Sequence, residues 1–249
     1  MHTENDDILA PLEITVLTDA FIHAFKKHKI RTTLLYFLFL LYFSLPGLQV
    51  PLLEYQTKRI SSVMEQRAIE HFLIFYPSQS AVSVDEVSPV LYKSILCMED
   101  DGFFTHHGVS WSELEKSMQV NAKKKKAARG GSTVTMQLAK NLFFTTNKSV
   151  IRKAKELLMT FRMEKELSKR AILQNYVNVI EWGDATFGIR EASLLFFKKE
   201  PSKLTLQDAS RLAAVIPSPL VHDPSVNSRY VMRRSSIIRS RYNNITLAL

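Results

Sequence analysis

The amino-acid sequence predicts a mainly α-helical domain that follows one N-terminal transmembrane helix. Two observations lead to this prediction. From Ser88 onward, apolar residues recur with a helical period, and few segments alternate as strands do. Nearer the N-terminus, the segment 32–53 carries no charged side chain and follows a basic cluster. With 249 residues and 46% hydrophobic content, the chain is long enough for one large domain and an anchor.

The uncharged segment has the length of a membrane-spanning helix. Its 22 residues, Thr32 to Leu53, rise about 1.5 Å each, which is enough to cross a bilayer. The preceding basic residues predict that this end stays in the cytoplasm: Lys26, Lys27, Lys29 and Arg31. A cleaved signal peptide is the alternative, but the basic region begins late and no small-x-small site follows. We therefore expect a cytoplasmic segment 1–31, a transmembrane signal anchor 32–53, a membrane-proximal connecting region 54–84 and an extracytoplasmic domain 85–249.

Helical patterns in this domain follow one another with short connections. The segment Val82 to Val87 is short and β-prone, and we expect it to be extended. An apolar helix near 88–98 ends at acidic residues, and the next, near 110–122, starts at Ser110 with a capping-box pattern. Ser132 is the expected cap of a helix that reaches about residue 144. Further helices are predicted near 149–166, 168–180, 189–197, 205–216 and 225–242.

Charge and cysteine content narrow the class of partner. The formal net charge of +9 and the pI near 9.6 suit an anionic partner, such as nucleic acid, a membrane surface or a phosphate-bearing substrate. Cys97 is the single cysteine, which excludes an intramolecular disulfide and a cysteine metal cage. Its place in an apolar run predicts a buried structural thiol and not a nucleophile.

The first stretch with candidate chemistry runs from Glu99 to Gly108 and contains three carboxylates and two histidines. Acidic side chains at the end of a buried segment are costly unless they are paired or used. Glu99 and Asp100 are therefore candidates for chemistry. The alternative for this stretch alone is a helix end followed by a polar loop.

The second stretch, Arg129 to Asn141, combines two glycines with a predicted helix N-terminus, which is a natural anion site. Three polar residues then fall at i, i+4 and i+7 on one helical face: Thr133, Gln137 and Lys140. Such a face can hold pyrophosphate and sugar groups. The alternative is a capped helix with a solvated polar stripe. The Gly-Lys-Ser/Thr ending of a P-loop is absent.

Two further charged stretches, each considered by itself, are expected to have a structural role and no part in chemistry. Glu156 follows Arg152 by four residues and Lys153 by three, a spacing typical of surface ion pairs. The segment Arg229 to Arg241 carries five arginines, and a solvated basic face is expected for it.

Taken together, these stretches resemble glycosyltransferase family 51, the peptidoglycan glycosyltransferases. The family's first motif, E-D-x-x-F-x-x-H-x-G, is matched by Glu99, Asp100, Phe103, His106 and Gly108. The second, G-x-S-T-[IVL]-T-x-Q, is matched by Gly130, Ser132, Thr133, Thr135 and Gln137. The third, R-K-x-x-E, is matched by Arg152, Lys153 and Glu156, and the fourth, I-L-x-x-Y-[LV]-N, by Ile172, Leu173, Tyr176, Val177 and Asn178. A fifth, R-x-x-x-[VI]-[LI], fits loosely at Arg233 to Ile238. The chain is most similar to the monofunctional members of the family.

The resemblance implies a lysozyme-like helical fold and a specific reaction. Lipid II would be polymerised into β-1,4-linked glycan strands, with inversion, release of undecaprenyl pyrophosphate and no transpeptidase activity. Glu99 would be the base that accepts the acceptor's hydroxyl proton, and Glu156 the second essential carboxylate. Roles in binding substrate and pyrophosphate fall to Ser132, Thr133, Gln137, Lys140, Arg152 and Lys153. Roles in shaping the loop fall to Asp100, Phe103, His106, Gly108 and Gly130.

The same resemblance sets expectations for cofactors, partners and location. No tightly bound cofactor is expected, and a divalent cation (Mg²⁺ or Mn²⁺) held by Glu156 is left open. The expected partners are lipid II, the growing lipid-linked glycan strand and the membrane. Proteins of cell-wall synthesis or division are further candidates, and nucleic acid is not expected. The expected location is the bacterial inner membrane, with a single pass, a cytoplasmic N-terminus and a periplasmic catalytic domain.

Three positions depart from the residues usual in the family. Met136 replaces a Gln, Gln174 a Glu, and Lys198 a Gly. A catalytically weak, membrane-anchored cell-wall scaffold is therefore one alternative function, and a lysozyme-like murein lytic enzyme is another. Substrate binding without polymer formation would favour the scaffold, and shortening of finished glycan would favour the lytic enzyme.

Overall fold

The computed structural model describes most of the chain in two compact units. The described residues are 28–45, 49–57, 60–72, 79–124, 130–147 and 149–249, with single residues at 19, 22, 23, 26 and 47. One unit comprises Met1–Leu45 and the other Pro46–Leu249.

The first unit contains helix α1, Lys29–Phe43, whose 15 residues include the first part of the uncharged segment, Thr32 to Phe43. Large apolar side chains are exposed on several sides of α1, for example Leu35 at 58%, Phe37 at 50% and Phe43 at 68%. Over the described ranges, no helix combines the length and the apolar character that crossing a bilayer requires. The helix is shorter than the predicted anchor at 32–53, since it ends at Phe43. The anchor therefore stays a prediction.

Nearly all the regular secondary structure described in the second unit is helical, which confirms the predicted mainly α class. The α-helices are α2 Gln49–Leu52, α3 Ser62–Glu70, α4 Pro89–Glu99, α5 Trp111–Lys124, α6 Val134–Phe143, α7 Val150–Glu166, α8 Lys169–Val179, α9 Ile189–Phe197, α10 Leu206–Val215 and α11 Arg229–Arg241. Short 3₁₀ turns lie at Val84–Glu86, Pro201–Lys203 and Tyr242–Asn244. Strands β1 Glu181–Gly183 and β2 Thr186–Phe187 form an antiparallel hairpin in which Glu181 lies opposite Phe187.

Hydroxyl caps fix the start of most of these helices, because each side-chain oxygen accepts from a free amide three residues on. The caps are Ser61, Thr133, Ser149, Ser168, Thr205 and Ser228. The prediction that Ser132 caps α6 is wrong. Thr133 is the last residue with extended backbone before the helix, so its hydroxyl lies beside the amide of Met136. The Ser132 hydroxyl accepts instead from the Lys153 ammonium at 3.0 Å.

The predicted extended segment at Val82–Val87 contains a 3₁₀ turn at Val84–Glu86. The reason is a local hydrogen bond: the Glu86 carboxylate accepts from the backbone N–H of Ser83 at 2.7 Å. This side-chain contact closes the chain into a turn, which overrides the β propensity of the valines.

Two groups of packed helices form the core of this unit. In one, α10 packs against α4 and α11; in the other, α6 packs against α7 and α8. Large side chains that are fully buried include Tyr92, Phe103, Tyr176 and Trp182, and each contributes on the order of 1.5–3 kcal/mol of apolar transfer free energy. Helix α4 of the first group ends at Glu99, and α11 belongs to the same group, whereas α6 and α7 belong to the second. Polar residues from both groups line one cleft.

The three departures from the family pattern lie in the scaffold. Met136 is buried in α6, and the Gln174 side chain accepts from the Val84 amide at 3.1 Å. Lys198 ends α9 in the left-handed conformation (φ 56°), which suits glycine and costs a lysine about 1 kcal/mol. None of the three lines the cleft. They therefore do not weaken the chemical case for a catalytic protein.

Candidate active site

A cleft of about 640 Å³ brings the first three sequence motifs together. Of the predicted residues, the lining contains Glu99, Asp100, Gly130, Ser132, Thr133, Gln137, Lys140, Arg152, Lys153 and Glu156. The other predicted loop-shaping residues, Phe103, His106 and Gly108, lie outside the lining. These residues come from separate stretches of the sequence, and they line one concave site.

Glu99 ends helix α4 with its side chain only 12% exposed. Burial raises the pKa of this carboxyl, and the Gln137 hydrogen bond and the charge of Arg234 oppose that rise without cancelling it. A carboxylate whose pKa is raised accepts a proton more readily than an ordinary glutamate does. Glu99 therefore has the chemistry of a general base.

A buried chain of hydrogen bonds holds the Glu99 carboxylate. The Gln137 amide nitrogen donates to Glu99 Oε2 at 2.8 Å, and the Tyr176 hydroxyl donates to Gln137 Oε1 at 2.9 Å. Burial raises the pKa of Tyr176, so its hydroxyl stays a donor. Since Oε2 is engaged, Oε1 is the oxygen left to meet an incoming proton. Tyr176 of the fourth motif is thereby linked to Glu99 through Gln137.

Arg234 is the main residue that the sequence interpretation missed. Its guanidinium lies in the cleft with Nη2 3.8 Å from Glu99 Oε1, so a solvated basic face is the wrong description for this position. The loose fifth motif begins one residue earlier, at Arg233. Helical spacing could have found it, because Arg234 follows buried Val231 by three residues and precedes buried Ile238 by four.

A cluster of charges around Glu156 forms another part of the cleft. One Glu156 oxygen accepts from Arg152 and the other from Lys153, both at 2.5 Å. The Glu156 side chain is 3% exposed, so the expectation of a plain surface ion pair is wrong. Lys153 also donates to Ser132. A buried carboxylate thus fixes two cations at the edge of the cleft.

Lys140 supplies a cation that no group in the described part of the chain neutralises by contact. Among the described residues, no hydrogen bond or ion pair is recorded for its ammonium, which lines the cleft. Burial lowers the pKa of Lys140, and the charge of Glu156 partly opposes this effect. A desolvated ammonium without a partner favours an anion, because binding one would replace the lost solvation.

The predicted loop-shaping residues tie the loop after α4 to the start of α6. His106 accepts from the Gly108 amide through Nδ1, so its Nε2 carries the proton and donates to Asp100 at 2.7 Å. The other Asp100 oxygen accepts from the Val134 amide at the N-terminus of α6. The Thr133 hydroxyl donates to the Gly108 carbonyl. This network fixes the backbone that presents Glu99.

Thr133 and Gln137 also have protein partners, in addition to Ser132, Arg152 and Lys153. The Thr133 hydroxyl is buried and engaged as both donor and acceptor, and the Gln137 amide contacts Glu99 and Tyr176. Their contact with pyrophosphate stays a prediction.

The predicted loop-shaping residue Phe103 is fully buried, with the Lys169 ammonium 4.3 Å above its ring centroid.

Gly108 cannot be replaced without strain, and we expect Gly108→Ala to destabilise the protein by at least about 2 kcal/mol. Its φ is +88°, and an added Cβ would lie 2.7 Å from Thr160 and 2.9 Å from Glu164. Gly130→Ala is the matched control, because its Cβ would meet nothing within 4 Å. Urea unfolding would measure both variants. Equal stability of the two alanine variants would contradict this prediction.

The surroundings of Glu156 do not fit a divalent cation. Both carboxylate oxygens already accept from cations, and a third cation, Lys140, lies near enough to affect their electrostatics. Over the described part of the chain, no group of three or more His, Cys, Asp or Glu side chains is arranged to hold a metal ion. Hard divalent cations need several oxygen ligands, and this site offers mainly positive charge.

Comparison with known proteins matches the region that contains this cleft. Residues 65–243 match the family model described as Transglycosylase. The "Biosynthetic peptidoglycan transglycosylase" of Laribacter hongkongensis is 37% identical over 166 residues, which cover 67% of this chain and 73% of that protein. The protein of the same name from Chromobacterium violaceum is 39% identical with the same coverage. That from Methylobacillus flagellatus is 38% identical over 160 residues, covering 64% of this chain and 70% of its own length.

Proposed function

Because this chain belongs to the transglycosylase family, we propose that it joins lipid II units into β-1,4-linked glycan strands. At a coarser level, the chain is a glycosyltransferase of peptidoglycan synthesis. The observation that carries the finer proposal is that one cleft contains both a carboxyl of raised pKa and an ammonium with no ion-pair partner among the described residues. These groups are Glu99 and Lys140.

Glu99 takes the proton of the attacking hydroxyl. In the proposed reaction, the 4-hydroxyl oxygen of the acceptor GlcNAc forms a bond to C1 of the MurNAc at the reducing end of the growing chain. The hydroxyl proton passes to Glu99 Oε1, and the bond from C1 to the pyrophosphate oxygen breaks with inversion. The raised pKa of Glu99 makes this transfer more favourable than it would be to an ordinary glutamate.

The departing undecaprenyl pyrophosphate needs positive charge more than it needs a proton, because it is already a weak base. Lys140 offers an ammonium that has no hydrogen-bond or ion-pair partner among the described residues, and Arg152 and Lys153 line the same cleft. Cations fixed in advance stabilise charge that develops in the transition state. In this proposal Glu156 is a positioning residue, because it holds two of those cations in place.

This arrangement favours transfer over hydrolysis of finished glycan. A lytic enzyme breaks a glycosidic bond whose leaving group is a sugar hydroxyl, so it needs an acid and not a set of cations. The cleft offers Lys140 and the Glu156 cluster where a pyrophosphate would lie. The scaffold alternative has less support, because the residues proposed for the chemistry are all present in the cleft.

We also propose that the N-terminal segment anchors the protein in the bacterial inner membrane. The anchor would be single-pass, with the N-terminus cytoplasmic and the catalytic domain periplasmic. The exposed Leu and Phe side chains of α1 support this, because they have no protein surface to cover them among the described residues. A tether in the same membrane as a lipid substrate would raise the effective concentration of both. Protease accessibility in spheroplasts tests the orientation.

The proposed function is tested by incubating the purified full chain with labelled lipid II and separating the products by gel. We expect a ladder of uncross-linked glycan strands that moenomycin abolishes, since the family resemblance implies that moenomycin occupies the donor site. A parallel reaction with finished peptidoglycan should leave its length unchanged. Shortened glycan would favour the lytic alternative, and bound lipid II without polymer would favour the scaffold.

A further inference from the structure

A column of stacked side chains lies beside the catalytic cleft and ends at Glu99. The His222 and Tyr230 rings stack with centroids 3.7 Å apart and planes inclined by 14°. The guanidinium of Arg234 lies over the same Tyr230 ring, 5.5 Å from its centroid. Arg234 in turn reaches Glu99 Oε1 at 3.8 Å. His222 belongs to the loop after α10, whereas Tyr230 and Arg234 belong to α11.

Arg234 has few other constraints on its position. Its Nε is buried without a hydrogen-bond acceptor in the described structure. Within the described ranges, the guanidinium has one cation–π partner, the Tyr230 ring, and one ion-pair partner, the Glu99 carboxylate. An arginine loses much rotamer freedom when it is held in place, so a missing support lets it move toward solvent. The ring therefore matters more here than it would for an arginine anchored by hydrogen bonds.

We propose that Tyr230, held by its stack with His222, is a positioning residue that keeps the Arg234 guanidinium beside Glu99. Stacking of a guanidinium on an aromatic face is favourable and directional. Tyr230 contacts neither the carboxylate nor the reacting atoms. It acts through Arg234, which sets the charge felt by the base.

The effect on Glu99 follows from the groups that face it. Burial raises its pKa; Gln137, Arg234 and Lys140 lower it, and Asp100 raises it slightly. Arg234, on α11, is thus the charged group that lowers the pKa of Glu99 most. If the guanidinium moves away, the pKa of Glu99 rises further. Because the base must be deprotonated to act, the acidic limb of the pH–rate profile then moves to higher pH.

The test compares pH–rate profiles of glycan synthesis by the full chain, and it rests on the proposed function. We expect Tyr230→Leu to move the acidic limb upward by about 0.5 pH unit, and Tyr230→Phe to keep the wild-type profile. His222→Leu should give a smaller shift in the same direction. Tyr242→Leu is the matched control, because Tyr242 lies under the Lys93 ammonium at 4.8 Å and does not line the cleft.

A second measurement separates this inference from the proposed reaction. The carboxyl of Glu99 is titrated by NMR in protein with isotope-labelled glutamate, its signal assigned by its absence in Glu99→Gln. An upward shift in Tyr230→Leu supports the positioning role even if lipid II proves to be the wrong substrate. An unchanged Glu99 titration in folded Tyr230→Leu and His222→Leu overturns it, even if the wild type makes glycan. A shift in Tyr230→Phe as large as in Tyr230→Leu also overturns it.

Discussion

Glu99→Gln is expected to abolish glycan synthesis from lipid II, with a fall in kcat of about 10²–10⁴-fold, the usual contribution of a general base. Gln is nearly isosteric and its carbonyl can still accept from Gln137, but it cannot take the acceptor's proton. The gel assay measures the loss. Glu115→Gln is the control, because Glu115 is exposed on α5 and outside the cleft. Wild-type synthesis by Glu99→Gln would show that another group is the base.

The same substitution should not weaken the fold. The folded-state pKa of Glu99 is raised, so the stability that its protonated form contributes at low pH is lost as pH rises through that pKa. Glu99→Gln carries no charge to desolvate. The unfolding free energy of Glu99→Gln minus that of the wild type should therefore increase as pH rises from about 4.3, the ordinary pKa of Glu, toward neutrality. Urea unfolding at several pH values measures this difference.

Glu156→Gln is expected to lower kcat by about 10²-fold, because the cations that stabilise the leaving group lose their shared anchor. An amide can accept from only one of the two, and its NH₂ group would face the other. We expect a loss of about 2 kcal/mol in the unfolding free energy. The loss is below that of a fully buried pair, since Arg152 and Lys153 remain 18% and 44% exposed.

The control for Glu156→Gln lies on the same helix. Glu166 accepts from Arg162 four residues earlier at 2.9 Å, so Glu166→Gln breaks an Arg–Glu pair of the same spacing away from the cleft. It should leave glycan synthesis near the wild-type level. If Glu156→Gln were equally active, Glu156 would be a structural ion pair and the leaving-group cations would not depend on it.

The departures at Met136, Gln174 and Lys198 had raised the question of whether the chain retains the chemistry of its family. Their positions answer part of it. Met136 fills the interior of α6, Gln174 binds the chain near Val84, and Lys198 ends α9. Each therefore acts on stability, whereas the residues that line the cleft carry the charge and the proton-accepting group.

Apolar periodicity and capping residues in the sequence predicted the helical class and the limits of most helices, and the order and spacing of the motifs predicted the family. Helical periodicity is a local property, so it predicted α9 at Ile189–Phe197 and α7 at Val150–Glu166 to within a residue. The cap of α6 was misplaced by one residue because both Ser132 and Thr133 have suitable side chains. Only the backbone conformation decides which hydroxyl reaches a free amide.

The tertiary structure decided which groups share an environment. Burial raises the pKa of Glu99 and removes Glu156 from the surface, and neither effect can be read from i, i+4 spacing. Arg234 is far from Glu99 in sequence, and only the packing of α11 against α4 and α10 brings it to the carboxylate. The sequence by itself thus determined which chemical groups the protein has. Their protonation and pairing depend on desolvation and distance, which only the folded chain sets.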